Sequence, residues 1–397
     1  MKRTYQLRTA TVFILLATTF IGVTAKAQTA ADSLDGRVNV INTAVPFLRI
    51  APDARSGAMG DVGLGLSADA NAIFWNTAKI TFAENKLAMG VTYTPWLRAL
   101  VSDIYLASLG GYYKVDDNSA LAFGLRYFSL GSITFTSPNG TILGDFNPQE
   151  FAIDLGYSRK LATHLSVGLN LGFVYSNLAA SYVVNNVPIK AGKAVKADLS
   201  TFYTHPAKFG SKTKGSYNIG LTVANIGNKI TYTESAENKD FLPCNLGLGS
   251  GITFQFDDYN KLSFNLDFNK LLVPTPDSAG DYRSLSTVEG IFTSFTDAPG
   301  GFSEEMREIM ISTGAEYWYR ELFSVRAGFF YEDKTKGARQ YITAGFGIKY
   351  NVFGLNFSYL IPTSSQKTPL DNTLRFSLLF DFDAMKKAPE EAPSDSE

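Results

Sequence analysis

The sequence predicts an all-β fold: a transmembrane antiparallel β-barrel of about fourteen strands with an N-terminal hatch in its lumen. Three observations carry it. Period-2 alternation recurs from Lys86 to the C-terminal region, short and long connections take turns, and a non-alternating, glycine-rich segment precedes the first strand. Side chains point to opposite faces along a strand, so each alternating segment has one apolar and one polar or small side, as a lipid-facing wall requires.

The chain begins with a secretory signal. Lys2, Arg3 and Arg8 give a positive region, Thr11 to Ala17 and Phe20 to Val23 an apolar core, and Ala25-Lys26-Ala27 a cleavage site. This layout is too short and wrongly flanked for a spanning helix, and residues 1–27 are expected to be removed. After it, no apolar run reaches the roughly 18 residues a membrane helix needs. The predicted divisions are then an N-terminal extension and hatch over 28–85, a transmembrane barrel over 86–382, and a disordered periplasmic tail over 383–397, rich in Lys, Glu, Pro and Ser.

Within the barrel, Phe151, Ile153, Leu155 and Tyr157 oppose Ala152, Asp154, Gly156 and Ser158. Leu262, Phe264, Leu266 and Phe268 likewise oppose Ser263, Asn265, Asp267 and Asn269. Fourteen segments begin near Lys86, Asp103, Ser119, Gln149, His164, Ala194, Gly215, Cys244, Lys261, Ile309, Leu322, Gln340, Phe353 and Leu374. Short turns at 115–118, 160–163, 257–260, 320–321 and 351–352 alternate with long connections at 131–148, 179–193, 228–243 and 274–308. Short periplasmic turns and long outer loops mark bacterial outer-membrane barrels, and an even strand count returns the C-terminus to the periplasm. The inward positions Asp154, Asn170, Asn218, Asn265, Asp267, Arg326 and Asn356 are mainly polar.

Composition fits export to a membrane better than soluble catalysis: 13% aromatic, 34 glycines and only 18% charged residues. A net charge of −1 supplies no field for nucleic acid. Cys244, the one cysteine, cannot form an intramolecular disulfide. His164 and His205 stand far apart in the sequence without a nucleophile motif, so no enzyme activity is expected. No metal-ligand cluster, calcium loop or cofactor motif is expected either. Gly63-Leu64-Gly65 and Gly345-Phe346-Gly347 are assigned to the hatch and a strand rather than to nucleotide binding.

The longest loop carries an apolar stripe. Tyr282, Leu285, Val288, Ile291, Phe292 and Phe295 recur at helical spacing after Asp281, a suitable N-cap. Residues 297–301 stop that helix, and Ser303 is expected to cap a second turn with Glu304 and Glu305 at its positive end. The stripe can fold over the barrel mouth, dock a partner, or do both.

Several motifs add a resemblance. Gly60 and Asp61 within 60–65, then Asp69, Phe74, Trp75 and Asn76, resemble the hatch of FadL-like barrels, with Thr77 where that family typically has proline. Thr94-Pro95-Trp96-Leu97, residues 294–302, Gly314-Ala315-Glu316-Tyr317-Trp318-Tyr319 and residues 369–376 are similar to the PorV (LptO) branch of that superfamily, found in the Bacteroidota. The resemblance implies an outer-membrane protein of the type IX secretion system. Its implied partners are the Sov/SprA translocon, cargo with a C-terminal signal domain, the PorU, PorQ and PorZ attachment complex, membrane lipids and lipopolysaccharide. Pro95, Trp96, Leu97, Ile291, Phe292, Phe295 and Phe302 are the expected partner-binding residues. The rival expectation is a FadL-type channel for hydrophobic small molecules.

Overall fold

The computed structural model describes residues 39–96, 101, 103–136, 139–179, 183–184, 187–210, 213–233, 239–276, 281–363 and 372–382. The expected signal peptide, the tail after 382 and Leu97 lie outside the described residues.

The strands in chain order are β1 (Leu87–Pro95), β2 (Ile104–Lys114), β3 (Ser119–Leu130), β4 (Ile133–Thr136), β5 (Ile142–Phe146), β6 (Gln149–Ala162), β7 (Leu165–Asn177), β8 (Val183–Val184) and β9 (Val187–Pro188). They continue as β10 (Gly192–Phe209), β11 (Thr213–Gly227), β12 (Asn245–Gln255), β13 (Asn260–Leu271), β14 (Met310–Tyr319), β15 (Phe323–Tyr331), β16 (Gln340–Tyr350), β17 (Phe353–Pro362) and β18 (Leu374–Asp381). Fourteen of them form one closed antiparallel barrel, with β1 paired to β18 from Ala88↔Asp381 to Tyr93↔Phe376. Closure gives every strand two partners and leaves no edge, which a bilayer demands because it offers backbone groups no water. β4–β5 and β8–β9 form separate two-stranded hairpins in connections that alternation alone reads as plain loops. No helix among the described residues is long and apolar enough to cross a membrane.

The alternation sorts the two faces as expected. Asp154, Asn170, Asn218, Asn265, Asp267, Arg326 and Asn356 are all buried inside, while Leu121, Leu155, Leu171, Val195, Phe264 and Ile342 stand exposed on the exterior. Leu155 is 63% exposed midway along β6. Replacing it with arginine is expected to cost about 2–4 kcal/mol of folding free energy in lipid vesicles, whereas the same change at Val115, in a short turn, should cost about 0–1 kcal/mol. Equal costs in urea titrations would show that the exterior face is assigned wrongly.

The interior is filled by the chain's own N-terminal segment. It enters among the long connections, where Asn39 N–H donates to the Thr335 carbonyl and Ala44 N–H to the Phe241 carbonyl, both at 2.9 Å. It ends at the short-turn side, where Lys114 Nζ donates to the Ala83 carbonyl at 2.9 Å. Between these points it makes four short helical pieces: Pro46–Arg49, Ala54–Gly57, Ala72–Phe74 and Thr77–Phe82. The second starts because Asp53 accepts from Ser56 N–H at 2.8 Å, and the fourth because Asn76 accepts from Ala78 N–H at 3.0 Å. Gly60 holds φ at +69°, and a Cβ there would lie 2.5 Å from the Phe329 carbonyl oxygen, so only glycine lets the segment lie against β15.

Candidate functional site

Two regions carry chemistry that the barrel wall does not need for closure: the contacts between the N-terminal segment and the inner face, and the loop between β13 and β14.

The first is anchored by ions. Glu316 on β14 accepts from Arg55 Nε at 3.0 Å and Nη2 at 2.8 Å, and from Arg326 Nε at 2.8 Å. Arg55 also reaches Asp69 at 3.1 Å, and Arg326 reaches Asn356 at 2.8 Å. Asp267 on β13 accepts from the backbone N–H groups of Gly63 at 2.7 Å and Leu64 at 2.9 Å, and Lys79 Nζ donates to the Gly63 carbonyl at 2.7 Å. Asn170 donates to the Ile73 carbonyl and accepts from the Thr77 hydroxyl. The polar inner face is therefore largely a binding surface for residues 53–79.

The expected hatch residues fall within this region. Gly60 lies against β15, and Asp61 accepts from the Tyr341 hydroxyl at 2.6 Å. Asp69 pairs with Arg55, Phe74 lies beneath the Arg126 guanidinium at 5.4 Å, and Trp75 Nε1 donates to Asp53 at 2.8 Å. Asn76 donates to the Thr201 carbonyl at 2.9 Å. Sequence reading missed Arg55, Lys79 and Glu316 as a unit, although Glu316 sits at an inward position of an alternating strand.

The loop differs from its expected form. The stripe after Asp281 is split into a 3-10 turn, Asp281–Ser284, and a helix, Thr287–Thr293. Ser286 caps that helix by accepting from Glu289 N–H at 3.2 Å, so the cap lies five residues beyond Asp281. The next helix, Phe302–Arg307, takes Gly301 as its N-cap, with φ at 65°, and Ser303 lies inside it. A glycine tolerates that left-handed turn, which leaves the serine hydroxyl without a capping role.

This second helix turns its acids inward and its apolar side chains outward. Glu304, Glu305 and Glu308 are buried. Lys270 binds Glu305 at 2.8 Å and also Glu308, while Lys336 binds Glu308 at 2.9 Å and also Glu304. Ala298 N–H donates to Glu305 at 2.9 Å and Gly300 N–H to Glu304 at 2.7 Å. The loop is thus fastened to β13 and to the β15–β16 connection by ion pairs. Phe302 is 80% exposed and Phe292 72% exposed, with Phe295, Val288 and Met306 also exposed. Exposed aromatics on a loop anchored by buried charge are what a docking surface presents.

The other expected partner-binding residues lie elsewhere. Ile291 and Trp96 are half-buried against one apolar cluster that includes Phe241, Leu272 and Val273. The Trp96 ring meets Phe128 edge-on at 5.2 Å, and Pro95 ends β1. These residues support the loops from beneath, whereas Phe292, Phe295 and Phe302 face outward.

Asp297 in this loop has a carboxyl pushed up to about 7 by burial, with Glu305 and Glu308 adding repulsion against the stabilising Thr275 N–H. The packed loop therefore holds a proton that an open loop releases. Asp297's contribution to loop packing should be complete below about pH 4 and be lost as pH rises through the interval up to about 7. Limited proteolysis of the loop is expected to run faster at pH 8 than at pH 5, and Asp297→Asn should flatten the difference. An unchanged pH dependence in that variant would remove Asp297 as the cause.

The two histidines, distant in sequence, are brought together: the ring centroids of His164, just before β7, and His205 on β10 are 4.5 Å apart, beside Tyr203 and Tyr217. Among the described residues no group of three or more His, Cys, Asp or Glu is arranged to hold a metal ion. Cys244 is buried, and burial pushes its thiol up to about 12.

Comparison with known proteins gives one family. A family model described as type IX secretion system protein PorV matches residues 32–278. No curated protein matches. Among solved structures, the chain is similar to the Pseudomonas putida toluene transporter TodX, at 12% identity over 86% of this chain and 98% of that one, with a TM-score of 0.47. It is also similar to the CymD monoaromatic hydrocarbon channel, at 14% identity over 83% and 95% of the two chains, with a TM-score of 0.44. A third similarity is to a Pseudomonas aeruginosa FadL homologue, at 10% identity over 87% and 99%, with a TM-score of 0.38. At these identities and scores the three structures carry no argument about substrate or site.

Proposed function

This chain belongs to the PorV family of type IX secretion system proteins, and we propose that it acts as a receiver and carrier of secreted cargo rather than as an enzyme. It accepts cargo bearing a C-terminal signal domain as that cargo leaves the Sov/SprA translocon. It then delivers the cargo to the attachment complex of PorU, PorQ and PorZ at the lipopolysaccharide surface. The observation that supports this reading best is the loop between β13 and β14, where Phe292 and Phe302 are exposed while the same loop's glutamates are buried in ion pairs. Such a surface gains from burying aromatic area against another protein.

In this reading Phe292, Phe295 and Phe302 touch the partner, while Pro95, Trp96 and Ile291 hold the loops in place. Residues 28–85 supply the extension and hatch, with Gly60, Asp61, Asp69, Phe74, Trp75 and Asn76 fixing the hatch to the wall. Residues 1–27 are the export signal, 86–382 the barrel and 383–397 the periplasmic tail.

A deletion strain tests the reading against the FadL-type channel. The carrier reading expects cargo trapped in the periplasm or unattached, with signal domains uncleaved, and normal uptake of a hydrophobic compound. It also expects His164→Ala with His205→Ala to leave secretion intact, since no proton transfer is involved. A normal cargo profile at the cell surface, with uptake lost, would end it in favour of the channel.

A further inference from the structure

A cavity of about 130 Å³ lies inside the barrel, between the N-terminal segment and the wall, in the half nearer the long loops. Its lining holds four guanidinium groups, those of Arg49, Arg126, Arg339 and Arg375, against two carboxylates, Asp61 and Asp198. Both acids have other partners. Asp198 binds Lys196 at 3.0 Å and the Asn225 N–H at 2.6 Å, and Asp61 accepts from the Tyr341 hydroxyl at 2.6 Å.

The guanidinium groups are left short of acceptors. Arg375 is 0% exposed, and none of its three side-chain nitrogens has a hydrogen-bond partner among the described residues. Asp61 Oδ1 approaches it only to 3.7 Å. Arg49 Nη2 donates at 3.0 Å to the Met310 sulfur, a weak acceptor, and stands 3.6 Å from Glu332. Arg339 Nη2 also points at that sulfur, at 3.7 Å, although Glu332 takes its stronger bonds at 2.7 and 2.9 Å. Arg126 Nε has no partner, although its other nitrogens donate to the Leu48 carbonyl at 2.9 Å and to Asp154 at 3.4 Å. Burial, and after it the neighbouring Arg339 charge, pulls Arg49 down to about 10 against the opposing pull of Glu332. A wholly buried guanidinium without a bond is costly unless something else supplies the acceptor.

We propose that this cavity is a binding site for a small oxyanion, a phosphate or a carboxylate, held by Arg49 and Arg339, which open onto it, together with the unbonded Arg375. Oxyanions match the guanidinium fork and accept several charge-assisted bonds at once. Ile73, Phe74 and Trp75 line another side, so a short apolar body attached to a carboxylate also fits. The site is independent of the carrier reading and stands or falls apart from it.

Isothermal titration calorimetry of the detergent-solubilised full barrel tests this directly. Sodium phosphate and sodium butanoate are titrated separately, each against sodium chloride at matched ionic strength. Saturable heat with phosphate supports a free inorganic ion as the occupant, and saturable heat with butanoate supports a small organic acid. No saturable heat with either overturns the proposal. Arg375→Gln should weaken the binding by about tenfold or more, as expected for a lost charge-assisted bond, and unchanged affinity in that variant overturns it. Should that variant fail to fold, Asp61→Asn decides, since removing the competing negative charge should tighten binding. Unchanged or weaker binding in Asp61→Asn would contradict the assignment.

Discussion

Glu316→Gln should destabilise the barrel by about 3–5 kcal/mol, the largest single-residue effect expected in this fold, because it takes the shared counter-charge from two buried guanidinium groups. Among the described residues Glu316 is the only carboxylate that both Arg55 and Arg326 bond, at 2.8–3.0 Å, and it joins the N-terminal segment to β14. Arg55 keeps Asp69 at 3.1 Å when Glu316 is neutralised, so part of its charge stays compensated. Arg326 keeps the neutral Asn356 amide and the Trp318 ring at 5.4 Å, but no carboxylate among the described residues within ion-pair distance. The double variant Arg55→Gln with Glu316→Gln should therefore lose less than the sum of the two single changes, since the two share one interaction. Urea titrations in lipid vesicles read both quantities. A loss below about 1 kcal/mol for Glu316→Gln would mean that the pair is hydrated and does not anchor the segment.

Strand positions were legible because the period of 2 is a local signal. Segments expected near Asp103, Cys244, Ile309 and Leu322 begin at Ile104, Asn245, Met310 and Phe323. Inward polarity was legible for the same reason, at Asp154, Asn170 and Asp267 alike. The partners of those inward residues were not. Arg55 and Glu316 meet only once the barrel has closed around the segment, and nothing in either local sequence encodes the other. His164 and His205 are likewise joined by the β7–β10 register.

The loop was half legible. Apolar residues at helical spacing gave the existence of helix, but Asp281 and Ser286 are both good caps, and only packing selects Ser286. Glu304 and Glu305 were legible as the acids at that helix's positive end, but the burial of Glu304, Glu305 and Glu308 was not, because charged residues are seldom buried unless paired. Their partners, Lys270 and Lys336, come from a strand and another loop. That pairing holds the glutamates inward and leaves Phe302 outside.

The second large effect follows from that exposure. Alanine at Phe292, Phe295 and Phe302 together should weaken capture of translocon or cargo on the order of a hundredfold, since a few buried aromatics dominate interface energy. The barrel itself should lose little stability, because exposed side chains have few contacts to give up. Alanine at Trp96 and Ile291 should behave differently, disturbing the loop base through lost packing before any partner is involved.

The most direct measurement is affinity purification of the wild-type barrel and the triple alanine variant from native membranes, with the copurifying proteins identified and quantified by mass spectrometry. The wild type should bring down the translocon and cargo carrying C-terminal signal domains, and the variant should lose both at equal barrel abundance. Wild-type barrel without either partner, or unchanged recovery in the variant, would contradict a docking loop built on Phe292, Phe295 and Phe302.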